Sequence, residues 1–148
     1  MQQETVGELV MLIGAVTTGI LRSSEKLSSF KIVRQEQAMG NALRDAMKRY
    51  KGDAGVEPVV QALLKKQPHS EAKQAVESPD LTDDEIMARL AALDELLTDD
   101  EKSFKLFLME IAEQIVKASA SAGFLGIGKS SNERELAFLN KLKSAMKM

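Results

Sequence analysis

The sequence predicts an all-α protein, and two features of the chain support this prediction. Apolar residues recur every three or four positions along almost its whole length, which is the period of an amphipathic helix. The alternation of apolar and polar residues that is typical of strands is absent, and there are only 3 prolines. A chain of 148 residues fits one domain. We therefore expect a single domain, residues 1–148, built as a bundle of six or seven helices.

Apolar stripes and helix start signals give approximate bounds for each helix. They predict helices over residues 4–22, 29–51, 56–66, 70–77, 83–97, 99–122 and 131–147. The first is apolar on most sides, so we place it at the centre of the bundle, where Gly14 and Gly19 would let neighbouring helices approach closely. In the second we expect an inward-facing row that consists of Ile32, Val33, Met39, Leu43, Met47 and Tyr50.

Three Ser/Thr–x–x–Glu sequences, at 82–85, 98–101 and 130–133, have the pattern of capping boxes. In such a box the hydroxyl accepts from an exposed backbone amide, while the glutamate reaches back to the amide of the cap residue. We therefore interpret the acidic residues at these positions as helix starts and not as catalytic carboxylates.

The second and last predicted helices resemble each other when the chain is shifted by 99 residues. Residues 38–48 then lie over 137–147, with Ala, Asn, Leu, Ala, Met and Lys at matching positions. This predicts two related helix-loop-helix hairpins, at about 4–51 and 99–147, separated by short connector helices at about 56–97.

The repeat also matches Glu36 with Glu135. Each glutamate lies one turn before an apolar row, so helical spacing places both carboxylates on or beside the apolar face. A carboxylate that leans inward needs a partner, because an unpaired buried charge is costly. Two interpretations remain open: a salt bridge or a bond to a neighbouring helix end, or a shared site for a divalent cation or small ligand.

Part of the chain is similar to a known family. The segments that carry the similarity are Phe104–Leu108, Ile111–Ala112, the loop Gly123–Gly128, Ser131 and Glu135. They resemble the tellurite-resistance TerB-like family, in the branch with a "GFLGFG" loop between its last two helices. The first hairpin resembles the same branch more weakly.

The resemblance implies an all-α, bacterial-type fold of paired repeats that is associated with tellurite and related stress responses. It also implies metal binding through acidic residues near the loops between helices, and here only Glu36 and Glu135 match the family's glutamates. The aspartate that precedes glycine in the family's loops is missing, since Ser23–Ser24 and Ala122–Gly123 stand there. Hard cations prefer several oxygen ligands, so this departure argues against a metal.

The loop Gly123–Ser130 also fits the P-loop pattern G-x-x-x-x-G-K-S. A working P-loop follows a strand, but the preceding residues have helical spacing, and only the 18 residues 131–148 follow. We therefore predict a tight connection in which Phe124, Leu125 and Ile127 pack into the core. If exposed instead, these three residues and Lys129 would form a contact for a partner or a membrane.

Composition narrows the classes of function. The net charge of −2 and the modest basic clusters argue against a nucleic-acid partner, and the absence of cysteine fits a cytoplasmic location. The apolar run Leu9–Leu21 is too short for a membrane span, and the one histidine, His69, forms no catalytic arrangement. We expect a non-enzymatic interaction or accessory module with a protein partner and no cofactor. The alternative is a divalent-cation or small-ligand binding domain that uses Glu36 and Glu135.

Overall fold

The computed structural model describes residues 1–23, 29–66, 81–122 and 129–148, and no strand occurs in these residues. The predicted all-α class is therefore confirmed for this part of the chain. Its α-helices are α1 (Gln3–Ser23), α2 (Ser29–Arg49), α3 (Glu57–Lys66), α4 (Asp83–Ala91), α5 (Leu93–Leu96), α6 (Ser103–Ala122) and α7 (Lys129–Ala145), with a 3-10 helix at Asp99–Glu101. The helix predicted at 70–77 lies outside the described residues.

Helix α1 lies at the centre of the bundle, as predicted, and packs against α3, α4, α6 and α7. Seven of its residues are buried, namely Leu9, Leu12, Ile13, Ala15, Val16, Gly19 and Ile20. The helix has 21 residues and a mean hydropathy of 1.5, which is long and apolar enough to cross a membrane. The central helix of a bundle has the same length and composition, so this is weak evidence for a span.

Helix α2 makes its most extensive contacts with α6. Among the side chains of α2 that the structure describes, those that are buried are Leu43 and three alanines at four-residue spacing, Ala38, Ala42 and Ala46. On α6 they are larger, and they form the buried stripe Phe104, Phe107, Leu108, Ile111 and Ile115. Small side chains on one helix let the large side chains of the other reach its backbone, which is how two adjacent helices fill the space between them.

The inward-facing row predicted for α2 is correct in part. Leu43 is buried, and Met39 and Tyr50 are partly buried against the core. Val33 and Met47 are each 49% exposed, so the prediction was wrong for both. Val33 precedes Ala42 by nine residues, about two and a half turns, and so lies on the opposite side of the helix. The side chain of Ile32 lies outside the described residues.

The capping box predicted at 98–101 is present, and the amide of Thr98 donates to the Glu101 carboxylate at 3.0 Å. At 82–85 only the N-cap half is present: the amide of Glu85 donates to the Thr82 hydroxyl at 3.2 Å, but the Glu85 carboxylate accepts from that hydroxyl and not from the Thr82 amide. The helix predicted at 83–97 is interrupted at Ala92, which separates α4 from α5. Helix α7 begins at Lys129, two residues earlier than predicted, and the side chains of the third box lie outside the described residues. The internal repeat stays a prediction.

Gly19 is the point of closest approach between α1 and α7. A Cβ atom at Gly19 would lie 2.4 Å from Cζ of the buried Phe138 ring, whereas a Cβ atom at Gly14 would meet no atom within 4 Å. The expectation of close approach is thus confirmed at Gly19 and wrong at Gly14, because only Gly19 faces a packed neighbour.

These two glycines allow a matched comparison. Gly14→Ala should raise the free energy of unfolding by about 0.5–1 kcal/mol, because alanine has the higher helix propensity and nothing obstructs its methyl group. Gly19→Ala should lower it by about 1–3 kcal/mol, because the Phe138 ring must move within a packed core. Urea unfolding followed by circular dichroism measures both values, and equal effects at the two positions would contradict the packing described here.

The C-terminal end of α7 is a Schellman motif with an unfavourable residue in its left-handed position. The amide of Met148 bonds to the Lys143 carbonyl at 3.0 Å, and that of Lys147 to the Ser144 carbonyl at 3.2 Å. Lys147 has a φ angle of 59°, where a Cβ atom is disfavoured.

Lys147→Gly should therefore raise the free energy of unfolding by about 0.5–1 kcal/mol, since glycine adopts this conformation without strain. The same change at the exposed Lys141, inside α7, should lower it by about 1 kcal/mol, because glycine is a poor helix former. Opposite signs in thermal or urea unfolding are the expected result, and destabilisation by Lys147→Gly would refute the proposed strain.

Candidate functional site

A groove of about 490 Å³ lies between the C-terminal half of α2 and helix α3. It is lined by Arg44, Ala46, Met47, Lys48, Tyr50, Lys51, Glu57, Val60 and Gln61. Ala46 and Val60 are buried and belong to the core, whereas Met47 is half exposed. The groove therefore combines an apolar floor with a polar rim.

The turn between α2 and α3 positions the two walls. Gly52, with a φ angle of 83°, ends α2 in the left-handed conformation that glycine tolerates. Asp53 then accepts hydrogen bonds from the amide of Gly55, at 2.8 Å, and from the hydroxyl of Ser103, the first residue of α6. A Cβ atom at Gly55 would lie 2.3 Å from the carbonyl oxygen of Glu101, so only glycine fits there. These contacts hold the start of α3 beside α2 and against the N-terminal end of α6.

The α2 wall of the groove is basic. Arg44 and Lys48 are four residues apart and lie along one face of α2, and Lys51 follows in the turn after Arg49. Arg44 donates to the Gly40 carbonyl and the Asn41 side chain of its own helix. Within the part of the chain that the structure describes, no carboxylate lies within 4.0 Å of these three cations.

The α3 wall is polar, and its one carboxylate is already engaged. Glu57 accepts from the amide of Gly52, and from the side-chain amide of Gln61 at 3.4 Å. These neutral donors hold the carboxylate at the start of α3, where the helix dipole also favours a negative charge. Three cations thus face one anion across the groove, and the anion is held away from them.

Tyr50 connects the groove to the aromatic core. Its hydroxyl donates to the Glu110 carboxylate at 3.0 Å, and Arg49 donates to the same oxygen at 3.1 Å. Its ring packs edge-on against Phe107, with ring centroids 6.0 Å apart, and Phe107 packs in the same way on Phe104 at 6.3 Å. Burial raises the pKa of Tyr50 above its usual 10.0, and the hydrogen bond and negative charge of Glu110 raise it further.

The two glutamates singled out in the sequence have different environments. Glu135 is fully buried and has a hydrogen-bonding or electrostatic interaction, whereas Glu36 is exposed. In residues 1–23, 29–66, 81–122 and 129–148 no group of three or more His, Asp or Glu side chains could hold a metal ion. The shared cation site at Glu36 and Glu135 stays a prediction.

The glycine-rich loop cannot be compared with its predicted role, because Phe124, Leu125 and Ile127 lie outside the described residues. So does the side chain of Lys129, whose backbone begins α7. His69 is outside them as well. What the structure does give is the context of the P-loop pattern: α6 precedes it and α7 follows, so it lies between two helices and does not follow a strand.

Sequence reasoning noted the basic cluster on α2 but missed the groove beside it. The available signal was Met47, an apolar residue between the charged Arg44 and Lys48 on the same turn. The comparisons with known proteins found no match among family models, curated proteins or solved structures. The chemistry of the groove is therefore the basis on which a function can be proposed.

Tyr50 is the only tyrosine and the chain has no tryptophan, so phenolate absorbance reports this one residue. In the folded protein its titration midpoint should lie above 10.0, because burial and Glu110 disfavour the phenolate. Glu110→Gln should lower the midpoint but leave it above 10.0, since burial is the largest cause. The urea-unfolded chain serves as the control, with a midpoint near the ordinary value.

The same shift has a consequence for stability. A raised pKa means that the folded state holds the phenol proton more tightly than the unfolded state. The contribution of Tyr50 to the free energy of unfolding is therefore complete below the unfolded-state pKa, near 10.0. It is lost as pH rises through the folded-state pKa. A folded-state midpoint at or below 10.0 would contradict the geometry described for Tyr50.

Proposed function

We propose that this protein is a non-enzymatic helical interaction module that binds a protein partner through the groove between α2 and α3. One observation carries the proposal: the half-exposed Met47 lies in an apolar groove whose α2 rim consists of cations that no described carboxylate neutralises. Methionine and arginine are enriched at protein interfaces, and methionine adapts its shape to a partner.

The groups that could do chemistry in this groove are committed to the fold. Tyr50 gives its proton to a hydrogen bond with Glu110, and its raised pKa keeps it protonated at neutral pH. Glu57 is held by the amide of Gly52. Each oxygen of the Glu57 carboxylate accepts a hydrogen bond from a neutral donor, so the group is oriented by the fold. The remaining lining residues, Arg44, Lys48 and Lys51, suit binding.

We further propose that the chain is a TerB-like protein acting in the cytoplasm in a stress response. This rests on the sequence resemblance alone, together with the paired hairpins that it implies. The residues of α6 that take part in the resemblance include Phe104, Phe107, Leu108, Ile111 and Ala112, all of which belong to the core. That location supports a similarity of fold and leaves the partner open.

Site-specific photo-crosslinking tests the interaction module. A benzophenone amino acid replaces Met47 in one variant and Leu106, which is 54% exposed on α6, in a matched control. In cells, irradiation should give adducts of discrete mass at position 47 and not at position 106, because only the former lines the groove. Lys48→Glu with Lys51→Glu should reduce the adducts by about fivefold or more, the effect of roughly 1 kcal/mol.

The same adducts at both positions, or adducts at 47 that survive the charge reversal, would refute the proposal. Circular dichroism and thermal unfolding of each variant check that the bundle has folded. The substituted positions are on the surface, where changes usually alter stability by less than about 0.5 kcal/mol.

A further inference from the structure

We infer that the groove between α2 and α3 accepts an acidic amphipathic helix, with one apolar side chain in the groove and carboxylates on the cations of α2. This inference rests on the function proposed above and names the chemistry of the partner. It uses the spacing of the charges, the depth of the apolar floor and the absence of an available aromatic ring.

Charge complementarity is the first argument. Arg44 and Lys48 lie four residues apart on α2, which corresponds to about 6 Å along the helix axis, and Lys51 follows in the turn after Arg49. A partner helix with glutamates at positions i and i+4 carries two charges at the same spacing. Rim charges of this kind steer encounter and fix the register of the partner.

The second argument comes from the floor. Ala46 and Val60 are nearly inaccessible, at 3% and 1%, and Met47 stands beside them at 49%. The volume of about 490 Å³ is within the range of specific pockets, roughly 300–1,000 Å³. An apolar side chain that binds here would displace water from the exposed part of Met47, above the buried Ala46 and Val60. Helix-in-groove recognition uses apolar anchors of this kind.

The third argument separates a protein partner from a nucleic acid. Single-stranded nucleic acids bind by stacking bases on exposed aromatic rings, within a groove of positive charge. The one aromatic residue of this groove, Tyr50, has one side of its ring beside the Arg49 guanidinium, 5.6 Å from the centroid, and its edge against Phe107.

Fluorescence anisotropy with designed peptides tests the inference on the full chain. The probe is a labelled 18-residue amphipathic helix with glutamates on its polar face and leucines on its apolar face. One control peptide carries lysine in place of each glutamate, and a second carries alanine in place of each leucine. The acidic peptide should bind at least about tenfold more tightly than either control, because each control removes one of the two complementary features.

Protein variants locate the binding. Lys48→Glu with Lys51→Glu should weaken binding of the acidic peptide by about tenfold or more, and Met47→Ala should weaken it by about fivefold. Lys117→Glu with Lys141→Glu makes the same change in net charge at exposed positions on α6 and α7, and should leave affinity within about twofold. Raising the NaCl concentration from about 50 to about 300 mM should weaken binding of the acidic peptide, because salt screens the charges at the rim of the groove.

Three results would overturn the inference: equal binding of the acidic and basic peptides, equal weakening by the groove and control variants, or tighter binding of a single-stranded oligonucleotide than of the acidic peptide. If the acidic peptide fails while position 47 still gives discrete crosslinks, only the chemistry assigned to the partner is wrong. If both experiments fail, the proposed function fails with it.

Discussion

Close packing of α2 against α6 determines where the surface features of this protein lie. The contact strip of α2 is built from alanines, and a methyl group brings the helix near the large aromatic and aliphatic side chains of α6. Such a strip is narrow, and the described side chains on the other side of α2 remain outside the core. The exposed half carries Val33 and Met47 as well as the basic row. A broader apolar strip would have buried Met47 and removed the groove.

The charges between several helices are neutralised by ion pairs, whereas the cations at the groove are not. Arg22 pairs with Asp83, Arg89 with Glu8, and Arg49 with Glu110, at 3.3, 2.9 and 3.1 Å. Exposed pairs of this kind contribute little to stability, typically about 0–1 kcal/mol. Each pair neutralises the local electrostatic field between the two helices that it joins. The basic row of α2 faces no such carboxylate among the described residues, so its field extends into solvent at the mouth of the groove.

The sequence was most informative where the side chains are large. The stripe Phe104, Phe107 and Leu108 and the apolar faces of α1 follow directly from helical spacing, and the Thr82 and Thr98 caps from local hydrogen-bonding chemistry. Periodicity failed on α2 because alanines carry little hydrophobic signal, so the pattern favoured Val33 and Met47 over the face that is buried.

Long-range contacts account for the remaining differences. The groove depends on Asp53 reaching Ser103, two residues that are fifty positions apart. No glycine or proline marks the interruption at Ala92 in the sequence. Glu135 and Glu36 occupy corresponding positions in the predicted repeat, yet one is buried and the other exposed, since burial depends on which helix covers each position. Single-sequence patterns contain no information about such neighbours.

The central position of α1 has a consequence for synthesis on the ribosome. The helices that cover α1 extensively, namely α3, α4, α6 and α7, are made after it, and α7 ends only at Ala145. At roughly 5–20 residues per second, the ribosome needs on the order of ten seconds to make the residues that separate the two. During this interval a helix of mean hydropathy 1.5 is without part of its native cover. Transiently exposed apolar surface promotes aggregation and is the reason that chaperones are needed, so the order of the helices leaves α1 vulnerable until α7 docks.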